Sequence, residues 1–380
     1  MSFRTVKELG LKRRKVVLRA DYNVPLSKGK VADDERIAAS LGTLKYLISK
    51  SPKKIVIISH LGRPKGVDKS LSLKPVAEVL EKKLRKKVIF RTLEEEVKTP
   101  QKSGIVLLEN IRFHKGEKEN NPSFAKSLAS LGDVFVNDAF ATMHRKHASN
   151  YGIAKLIKPS IGLLVQKELS HLSLSKAKRP ITIIMGGSKL STKLPFIKSF
   201  LRKADNVLLG GAMIFTFYKA QGLDVGRSLY EPDFVEPASK LLKSKKLVLP
   251  SDVLVSRSIG FAQGVRYVDC NKIPKQHYGV DIGYRSVLDF IKILSISKTI
   301  IWNGPLGVYE VEDFRASSED MALFLSAVSS KTIIGGGDTA WLVKSLGLSR
   351  KFDFVSTGGG ATLEFLAMGT LPFLKLVEKK

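Results

Sequence analysis

Short apolar runs rich in β-branched residues alternate with amphipathic stretches along almost the whole chain. Nearly continuous apolar strands separated by helices are typical of a parallel sheet that is covered on both faces. The alternation therefore predicts an α/β fold. In the first half, strands are predicted at 16–20, 54–58, 105–108 and 133–136, and helices at 36–49 and 73–84.

A second series of predicted strands begins after Pro180. Its members are 181–185, 206–209, 246–249, 298–301, 331–334 and 352–355. Between the two series, residues 161–174 follow Pro159 and have the pattern of a helix. A chain of 380 residues with 43% hydrophobic content can bury two cores. We therefore expect two domains with their connection at this helix.

Four glycine-bearing loops follow strands in the C-terminal half: Gly186-Gly187, Gly210-Gly211, 335–337 and 358–360. Glycine lets backbone N–H groups approach an anion, and a helix that starts just afterwards adds its positive dipole end. Steric needs of a strand-to-helix turn also select glycine, so one such loop is weak evidence. Four loops predict a phosphate-binding face, although neither a Walker A loop nor a G-x-G-x-x-G fingerprint is present.

Polar side chains follow the strands of the first half, where ligands of open α/β sheets bind. Five basic residues and two polar partners occupy these places: Arg36, His60, Arg63, Arg112 and Arg145, with Asp21 and Asn23. A lone arginine would be read as a surface ion pair. Because guanidinium binds phosphate or carboxylate in bidentate fashion, the set predicts a site for a small anion that carries both groups. A metal site at His144 and His147 is not predicted, because the sequence offers no third metal ligand for them.

The formal net charge of +29 raises an alternative, a nucleic-acid-binding protein. The charge is spread along the chain, however, with no recognition-helix pattern and no interleaved aromatic residues. A solvated basic surface is favoured, and one continuous basic face would favour the alternative. A different α/β nucleotide enzyme, such as a ligase or a dinucleotide-dependent dehydrogenase, is a second alternative that the missing fingerprints oppose.

One cysteine, Cys270, excludes an internal disulfide and any cysteine-rich metal site. The sequence has no apolar targeting region near Met1 and no run of eighteen apolar residues. We expect a soluble, cytoplasmic protein with no membrane partner and no specific nucleic-acid partner.

Eight motifs, taken in order, are similar to those of the phosphoglycerate kinases, and the resemblance covers nearly the whole chain. They are 19–25, 59–64, 108–113, 136–149, 186–189, 302–305, 335–340 and 356–361. The resemblance implies reversible phosphoryl transfer from 1,3-bisphosphoglycerate to ADP, giving 3-phosphoglycerate and ATP, in glycolysis and gluconeogenesis. It also implies a monomer that uses Mg²⁺ with ADP or ATP.

The resemblance further implies two Rossmann-like domains with parallel sheets, joined by a hinge helix, with the active site in the interdomain cleft. Residues 1–158 would bind 3-phosphoglycerate, and residues 159–176 would form the hinge. Residues 177–360 would bind the Mg-nucleotide, and a tail, 361–380, would return to the first domain.

The resemblance gives roles to individual residues. Substrate binding falls to Asp21, Asn23, Arg36, His60, Arg63, Arg112 and Arg145. Catalysis falls to Arg36, Lys189, Lys193, Gly336 and Gly359. Nucleotide binding falls to Gly187, Lys193, Gly210, Gly211, Asn303, Pro305, Glu310, Gly335, Gly336, Gly337, Asp338 and Thr339. Asp338 would also be the magnesium ligand.

Departures from the family pattern are mild. Thr192 stands where the family has an aspartate beside Lys193, which removes one negative charge, so nucleotide affinity is expected to differ from that of the family. Ala20, Tyr22, Ser188 and Tyr284 are further departures, and none removes a proposed catalytic group. The resemblance does not explain the excess of basic residues.

Overall fold

The computed structural model describes residues 2–379, which belong to two compact units. The first unit comprises Met1–Ser170 and Thr370–Lys380, and the second comprises His171–Gly369. Each unit contains a six-stranded sheet in which every neighbouring pair of strands is parallel. The α/β prediction with parallel sheets is confirmed.

The sheet of the first unit has the strand order β5-β6-β4-β1-β7-β8. The strands of this unit, including a small β2-β3 hairpin, are β1 (Lys15–Arg19), β2 (Leu26–Ser27), β3 (Lys30–Val31), β4 (Lys54–Ile58), β5 (Val88–Arg91), β6 (Gly104–Leu108), β7 (Val134–Asn137) and β8 (Lys158–Ile161). The helices of this unit are α1 (Glu35–Ser49), α2 (Lys74–Leu84), α3 (Leu93–Lys98), α4 (Lys115–Lys118) and α5 (Pro122–Ala129). The next helix, α6 (Leu163–Leu172), contains the boundary between the two units, which lies after Ser170.

The four strands predicted for this unit are confirmed, whereas its two edge strands escaped prediction. β5 is largely half-buried, and β8 contains a proline, Pro159. Edge strands are covered less completely and tolerate proline, so they lack the continuous apolar run on which the prediction depended.

The sheet of the second unit has the order β11-β10-β9-β15-β16-β17, and a separate antiparallel sheet has the order β13-β12-β14. The strands are β9 (Ile181–Met185), β10 (Asn206–Leu209), β11 (Leu247–Val248), β12 (Asp252–Ser256), β13 (Arg266–Asp269), β14 (Tyr278–Ile282), β15 (Thr299–Asn303), β16 (Lys331–Gly335) and β17 (Phe354–Val355). The helices are α7 (Leu190–Lys203), α8 (Ile214–Ala220), α9 (Val235–Leu241), α10 (Tyr284–Ile296), α11 (Ala316–Ala327), α12 (Gly337–Ser345) and α13 (Gly360–Met368).

All six strands predicted for the second unit overlap strands of its parallel sheet. The antiparallel sheet was not predicted, because its outer strand β13 is exposed and charged rather than continuously apolar. By contrast, β4 and β9 are buried at every position. Burial of central parallel strands on both faces is the packing that their sequences predicted.

The C-terminal segment returns to the first unit at Thr370, later than the predicted tail boundary at 361. Residues 361–369 stay with the second unit because α13 packs against α7, whose Ser199 hydroxyl donates to the carbonyl of Ala367 at 2.6 Å. After Thr370, a short helix, α14 (Leu374–Val377), packs against β8. Phe3 forms a β-bridge with Glu378, so this segment pairs with the first residues that the structure describes.

A buried ion pair joins the first sheet to α3. Lys54 Nζ lies 2.6 Å from Glu96 Oε1, and the two side chains are 3% and 0% exposed. Arg91 Nε lies 3.2 Å from the other carboxylate oxygen of Glu96. Both oxygens are therefore engaged by cations, which offsets the cost of removing these charges from water.

Replacing Glu96 by alanine should destabilise the first unit by about 3–5 kcal/mol, because Lys54 would remain buried without its partner. Urea denaturation monitored by circular dichroism measures the change. Glu94→Ala is the matched control on the same helix, since the Glu94 side chain is 58% exposed. We expect its effect to stay within about 0.5 kcal/mol, and equal losses in both variants would contradict the argument.

Candidate active site

The predicted anion-binding residues of the first unit lie beyond the carboxyl ends of adjacent strands. Asp21 and Asn23 follow β1, His60 follows β4, and Arg112 follows β6. These three strands are neighbours in the sheet, so their carboxyl ends meet at one edge. The sheet order brings together residues that are far apart in sequence.

Asp21 and Asn23 connect this edge to α1 and to the loop after β4. The Arg36 guanidinium, in the first turn of α1, donates to Asp21 Oδ2. Asn23 Oδ1 accepts from the backbone N–H of Gly62 at 2.8 Å. The Arg36 side chain is 34% exposed, so it is held by Asp21 and still reaches solvent.

His60 is a neutral histidine within a cationic cluster. Its side chain is buried, and Arg19 Nη2 donates to its Nδ1 at 2.9 Å. Burial, reinforced by the charges of four arginines, holds the His60 pKa well below its usual value. Those arginines are Arg19, Arg112, Arg145 and Arg36. Because Nδ1 accepts from Arg19, the ring proton resides on Nε2, where His60 can donate to an anion.

Arg112 is buried with an unused donor. Its Nη1 donates to the carbonyl of Gly62 at 2.6 Å, but its buried Nε has no hydrogen-bond partner among residues 2–379. Burial and the charges of Arg19 and Arg145 lower the Arg112 pKa to about 10. A buried, unpaired N–H on a cation is costly, and an anionic ligand would satisfy it.

Arg145 and Arg63 complete the cluster. Arg145 Nε donates to His144 Nε2 at 3.2 Å, and burial together with the charge of Arg63 lowers the Arg145 pKa. Arg63 itself is exposed. The cationic residues predicted for this site thus repel one another, and a bound anion would reduce this repulsion.

Two residues of this cluster were not predicted as site residues. Arg19 is buried at the end of β1, where its Nε donates to Ser149 Oγ at 3.0 Å. Glu117 accepts from the N–H and the hydroxyl of Ser149 at 2.9 and 2.7 Å. Burial alone would raise the Glu117 pKa, but His147, Arg19 and Ser149 together lower it. An arginine within a buried strand was the available signal for Arg19, whereas Glu117 had none.

In the second unit, the glycine loops surround a cavity of about 520 Å³. The predicted residues that line it are Gly187, Lys193, Gly211, Asn303, Pro305, Glu310, Gly336, Gly337, Asp338, Thr339 and Gly359. Gly210, Gly335 and Lys189 are not in the lining. A Cβ on Gly210 would meet the Leu306 side chain at 2.5 Å, so this glycine serves packing. Lys189 is exposed, immediately before α7.

The glycines of these loops have two different purposes. A Cβ on Gly186 would lie 1.8 Å from the carbonyl oxygen of Pro305, because the loops after β9 and β15 touch backbone to backbone. In contrast, a Cβ on Gly337 or on Gly360 would meet no other group within 4 Å. Gly186 is therefore needed for close packing of two loops, whereas Gly337 and Gly360 leave open backbone along the cavity.

The helices α12 and α13 begin at the cavity, and neither has a side-chain N-cap. Their first N–H groups and dipoles favour anions such as phosphate. Lys193 Nζ donates to Asn303 Oδ1 at 3.1 Å. Burial lowers the Lys193 pKa, and the nearby Asp338 carboxylate opposes this shift.

Apolar residues also line the cavity, namely Phe215, Val280, Leu306 and Val308. Glu310 lines it as well and is exposed. A cavity that combines apolar residues with helix N-termini suits a nucleotide, whose base is planar and whose phosphates are charged.

Carboxylates of the cavity differ in their availability to a cation. Both oxygens of Asp281 are engaged by Ser317 and by the N–H of Ile282, and burial raises the Asp281 pKa to about 7. Asp338 lies in the first turn of α12, facing Lys193. Within residues 2–379 no group of three or more His, Cys, Asp or Glu is placed to hold a metal. A cation here would thus depend on few protein ligands, as magnesium bound with a nucleotide does.

Two parallel-sheet units, one with an arginine cluster and one with a nucleotide-sized cavity, define a two-domain α/β kinase. The family model described as phosphoglycerate kinase matches residues 6–368. The chain belongs to the phosphoglycerate kinase family.

Individual relatives agree over nearly the full length. The chain is 46% identical to "Phosphoglycerate kinase, cytosolic" of Triticum aestivum, covering 97% of this chain and 96% of the relative. It is also 46% identical to "Phosphoglycerate kinase 1, chloroplastic" of Arabidopsis thaliana, covering 95% of this chain and 79% of the relative. The solved structure of phosphoglycerate kinase from Coxiella burnetii superposes with a TM-score of 0.87 at 36% identity, covering 99% of both chains.

The two purposes of the glycines can be separated by a pair of variants. Gly186→Ala should prevent stable folding of the second unit, because its Cβ would collide with the Pro305 carbonyl. Gly337→Ala should keep the melting temperature, since the position has free space and alanine favours a helix, yet it should weaken nucleotide binding roughly tenfold. Thermal denaturation and calorimetric titration with ATP check both. A Gly186→Ala protein as stable as the parent would overturn the close-contact interpretation.

Proposed function

We propose that this member of the phosphoglycerate kinase family binds 3-phosphoglycerate or 1,3-bisphosphoglycerate at the arginine cluster of its first unit, and ADP or ATP in the cavity of its second. The enzyme is a kinase of glycolysis, as its family is. The buried and unpaired Nε of Arg112, among cations that repel one another, is the observation that carries the first assignment. A ligand with both carboxylate and phosphate would relieve that repulsion.

Within the first half-site, Arg112, Arg145 and Arg63 would bind the anionic groups of the glycerate. Neutral His60 would donate from Nε2, and Asp21 with Asn23 would fix the loops and orient Arg36. Since Arg36 is held at one end and exposed at the other, we assign it to the transferring phosphoryl group.

Within the second half-site, the nucleotide phosphates would lie at the starts of α12 and α13, where Gly336 and Gly359 line the cavity. Lys193 would contact the same phosphates, Lys189 would approach them from the start of α7, and Glu310 would bind the ribose. Asp338 is the carboxylate that fits magnesium, and the bound ion would supply charge neutralisation of the phosphates.

Phosphoryl transfer requires that donor and acceptor oxygens lie in line with one phosphorus atom. Both half-sites must therefore face a single phosphoryl group during the reaction and exclude water from it. We propose that residues 159–176, which include α6, form the hinge for this step. Arg36 and Lys193 would then both stabilise the charge of the transferring group.

We further propose that the enzyme acts as a monomer in the cytoplasm. The wheat relative is named cytosolic, and the Arabidopsis relative at the same identity is named chloroplastic. No helix in the part of the chain that the structure describes is long and apolar enough to cross a membrane. A coupled spectrophotometric assay of 3-phosphoglycerate-dependent ATP consumption tests the activity directly.

Arg36→Lys should reduce kcat by roughly three orders of magnitude, on the scale of arginine fingers, because an ammonium cannot provide the planar pair of donors. ATP affinity should change little, since Arg36 belongs to the other half-site. Steady-state kinetics and ATP titration measure the two quantities. Near-normal turnover would remove Arg36 from the transferring phosphoryl group.

Asp338→Asn should weaken Mg-ATP binding at least tenfold while 3-phosphoglycerate binding stays unchanged, because magnesium prefers a carboxylate oxygen. Calorimetric titration of each ligand separates the two effects. Thr192→Asp is a useful companion, since it places a negative charge beside Lys193. If Asp338→Asn lost glycerate binding instead, our division of ligands between the units would be wrong.

A further inference from the structure

The hairpin between β12 and β13 holds bulky apolar side chains in water. Every residue from 259 to 267 is exposed. The large apolar residues of this hairpin, with the exposed fraction of each residue, are Ile259 (55%), Phe261 (60%), Val265 (39%) and Tyr267 (48%). Exposed apolar side chains clustered in one short segment indicate a surface that is covered by a partner.

Hydrogen bonds within the hairpin hold it in a defined shape. The buried hydroxyl of Ser256 accepts from the N–H groups of Ser258 and Gln263, each at 3.2 Å, and it lies 3.2 Å from the carbonyl of Gln263. The N–H of Arg257 donates to the same carbonyl at 2.9 Å. The exposed apolar residues thus belong to an ordered loop, which keeps them from folding back onto the protein.

The base of the hairpin is cationic. Arg257 and Arg266 flank the apolar tip, and no acidic residue occurs from 253 to 268. Burial lowers the pKa of His277, and the charges of Arg266 and Arg257 lower it further, so both guanidiniums lie near this one ring. Neither arginine has an ion-pair partner among the described residues.

The carboxylates at the outer ends of β12 and β13 are already paired. Asp252 and Asp269 both bind Arg285, and Asp269 also lies 3.0 Å from Lys272 Nζ. Burial, with the charges of Asp281, Asp320 and Asp252, raises the Tyr267 pKa, so these carboxylates lie near its ring but outside the hairpin. Within 257–267 the charged residues are Arg257 and Arg266 alone.

Two tyrosines extend the apolar tip toward the protein body. Tyr267 packs edge to face against Tyr284 at 5.5 Å between ring centroids, and Tyr284 is 57% exposed. Tyrosine is enriched where a protein meets the headgroups of a bilayer, since its ring is apolar and its hydroxyl is polar.

The size of the surface favours a membrane over a protein partner. The four apolar side chains of the tip offer on the order of 400 Å², whereas a stable protein interface buries about 800 Å² on each partner. A bilayer needs no complementary shape, and a few inserted apolar side chains with nearby cations are sufficient for reversible binding.

We propose that this hairpin binds the surface of bilayers that contain anionic lipids. Ile259 and Phe261 enter the acyl boundary, Arg257 and Arg266 contact lipid phosphates, and Tyr267 lies at the headgroups. The proposal departs from the sequence-based expectation of no membrane partner. That expectation was drawn from the lack of an apolar targeting region or spanning run, and peripheral binding requires neither. The site is separate from both half-sites, so it is independent of the catalytic assignments.

Co-sedimentation of the full chain with phosphatidylcholine vesicles, with and without phosphatidylserine, tests the proposal. We expect binding only when phosphatidylserine is present, and a loss of roughly tenfold or more in Phe261→Ser. Arg257→Gln combined with Arg266→Gln should lose roughly thirtyfold, at about 1 kcal/mol for each cation near the surface. Kinase activity of all variants should equal that of the parent, which shows that they are folded.

Matched controls separate the hairpin from the overall charge. Leu323→Ser removes an equally exposed apolar side chain elsewhere, and Lys243→Gln with Lys245→Gln removes two other exposed cations. Both should bind vesicles as the parent does. Equal losses in these controls would mean that the +29 charge binds vesicles without the hairpin.

Insertion of the hairpin tip into the bilayer is measured separately, by quenching of tryptophan fluorescence. Phe261→Trp should be quenched by brominated acyl chains, whereas Leu323→Trp should not be. An absence of quenching would overturn the proposal, as would Phe261-dependent binding to single-stranded DNA without vesicle binding. Concentration-dependent self-association that Phe261→Ser abolishes, in a protein that does not bind vesicles, would assign the surface to a second copy of the chain.

Discussion

Parallel pairing of strands is the constraint on which the rest of this molecule depends. In each sheet, strands distant in sequence become neighbours, and their carboxyl ends share one edge. In the first unit that edge collects His60 and Arg112 beside Asp21. In the second, it brings the loop after β9 against the loop after β15, so that Gly186 and Pro305 touch. The chemistry of each half-site is assembled by topology and not by proximity in the chain.

The arginines of the first unit repel one another, and this repulsion has an electrostatic cost. Arg19, Arg112 and Arg145 each lower the pKa of a neighbour, and His60 stays neutral among them. Glu117 and Asp21 offset part of the repulsion. Under the function proposed above, the unpaired donor on Arg112 would be available to an anion without reorganisation of the site.

The sequence predicted the strands that carry a continuous apolar run and the residues that follow them. It did not predict β5 or β8, because edge strands lack that run, or the antiparallel sheet, because β13 is exposed and charged. Arg19 was overlooked because it lies within the predicted strand at 16–20, whereas the site residues were sought among the polar residues that follow the strands. Glu117 could not be found, because only the fold brings it to Ser149. Which glycines serve packing, as Gly186 does, required distances between loops that a linear pattern does not contain.

The return of the last residues to the first unit has a consequence for synthesis. Phe3 pairs with Glu378, and the N–H of Arg4 donates to the carbonyl of Val377 at 2.8 Å. The second unit is one contiguous stretch, His171–Gly369, which lies between these partners in the chain. The ribosome therefore synthesises the whole second unit before the segment that completes the first. The first unit gains its contacts with Val377 and Glu378 only after the second unit has been translated, so the two units do not fold in simple sequence order.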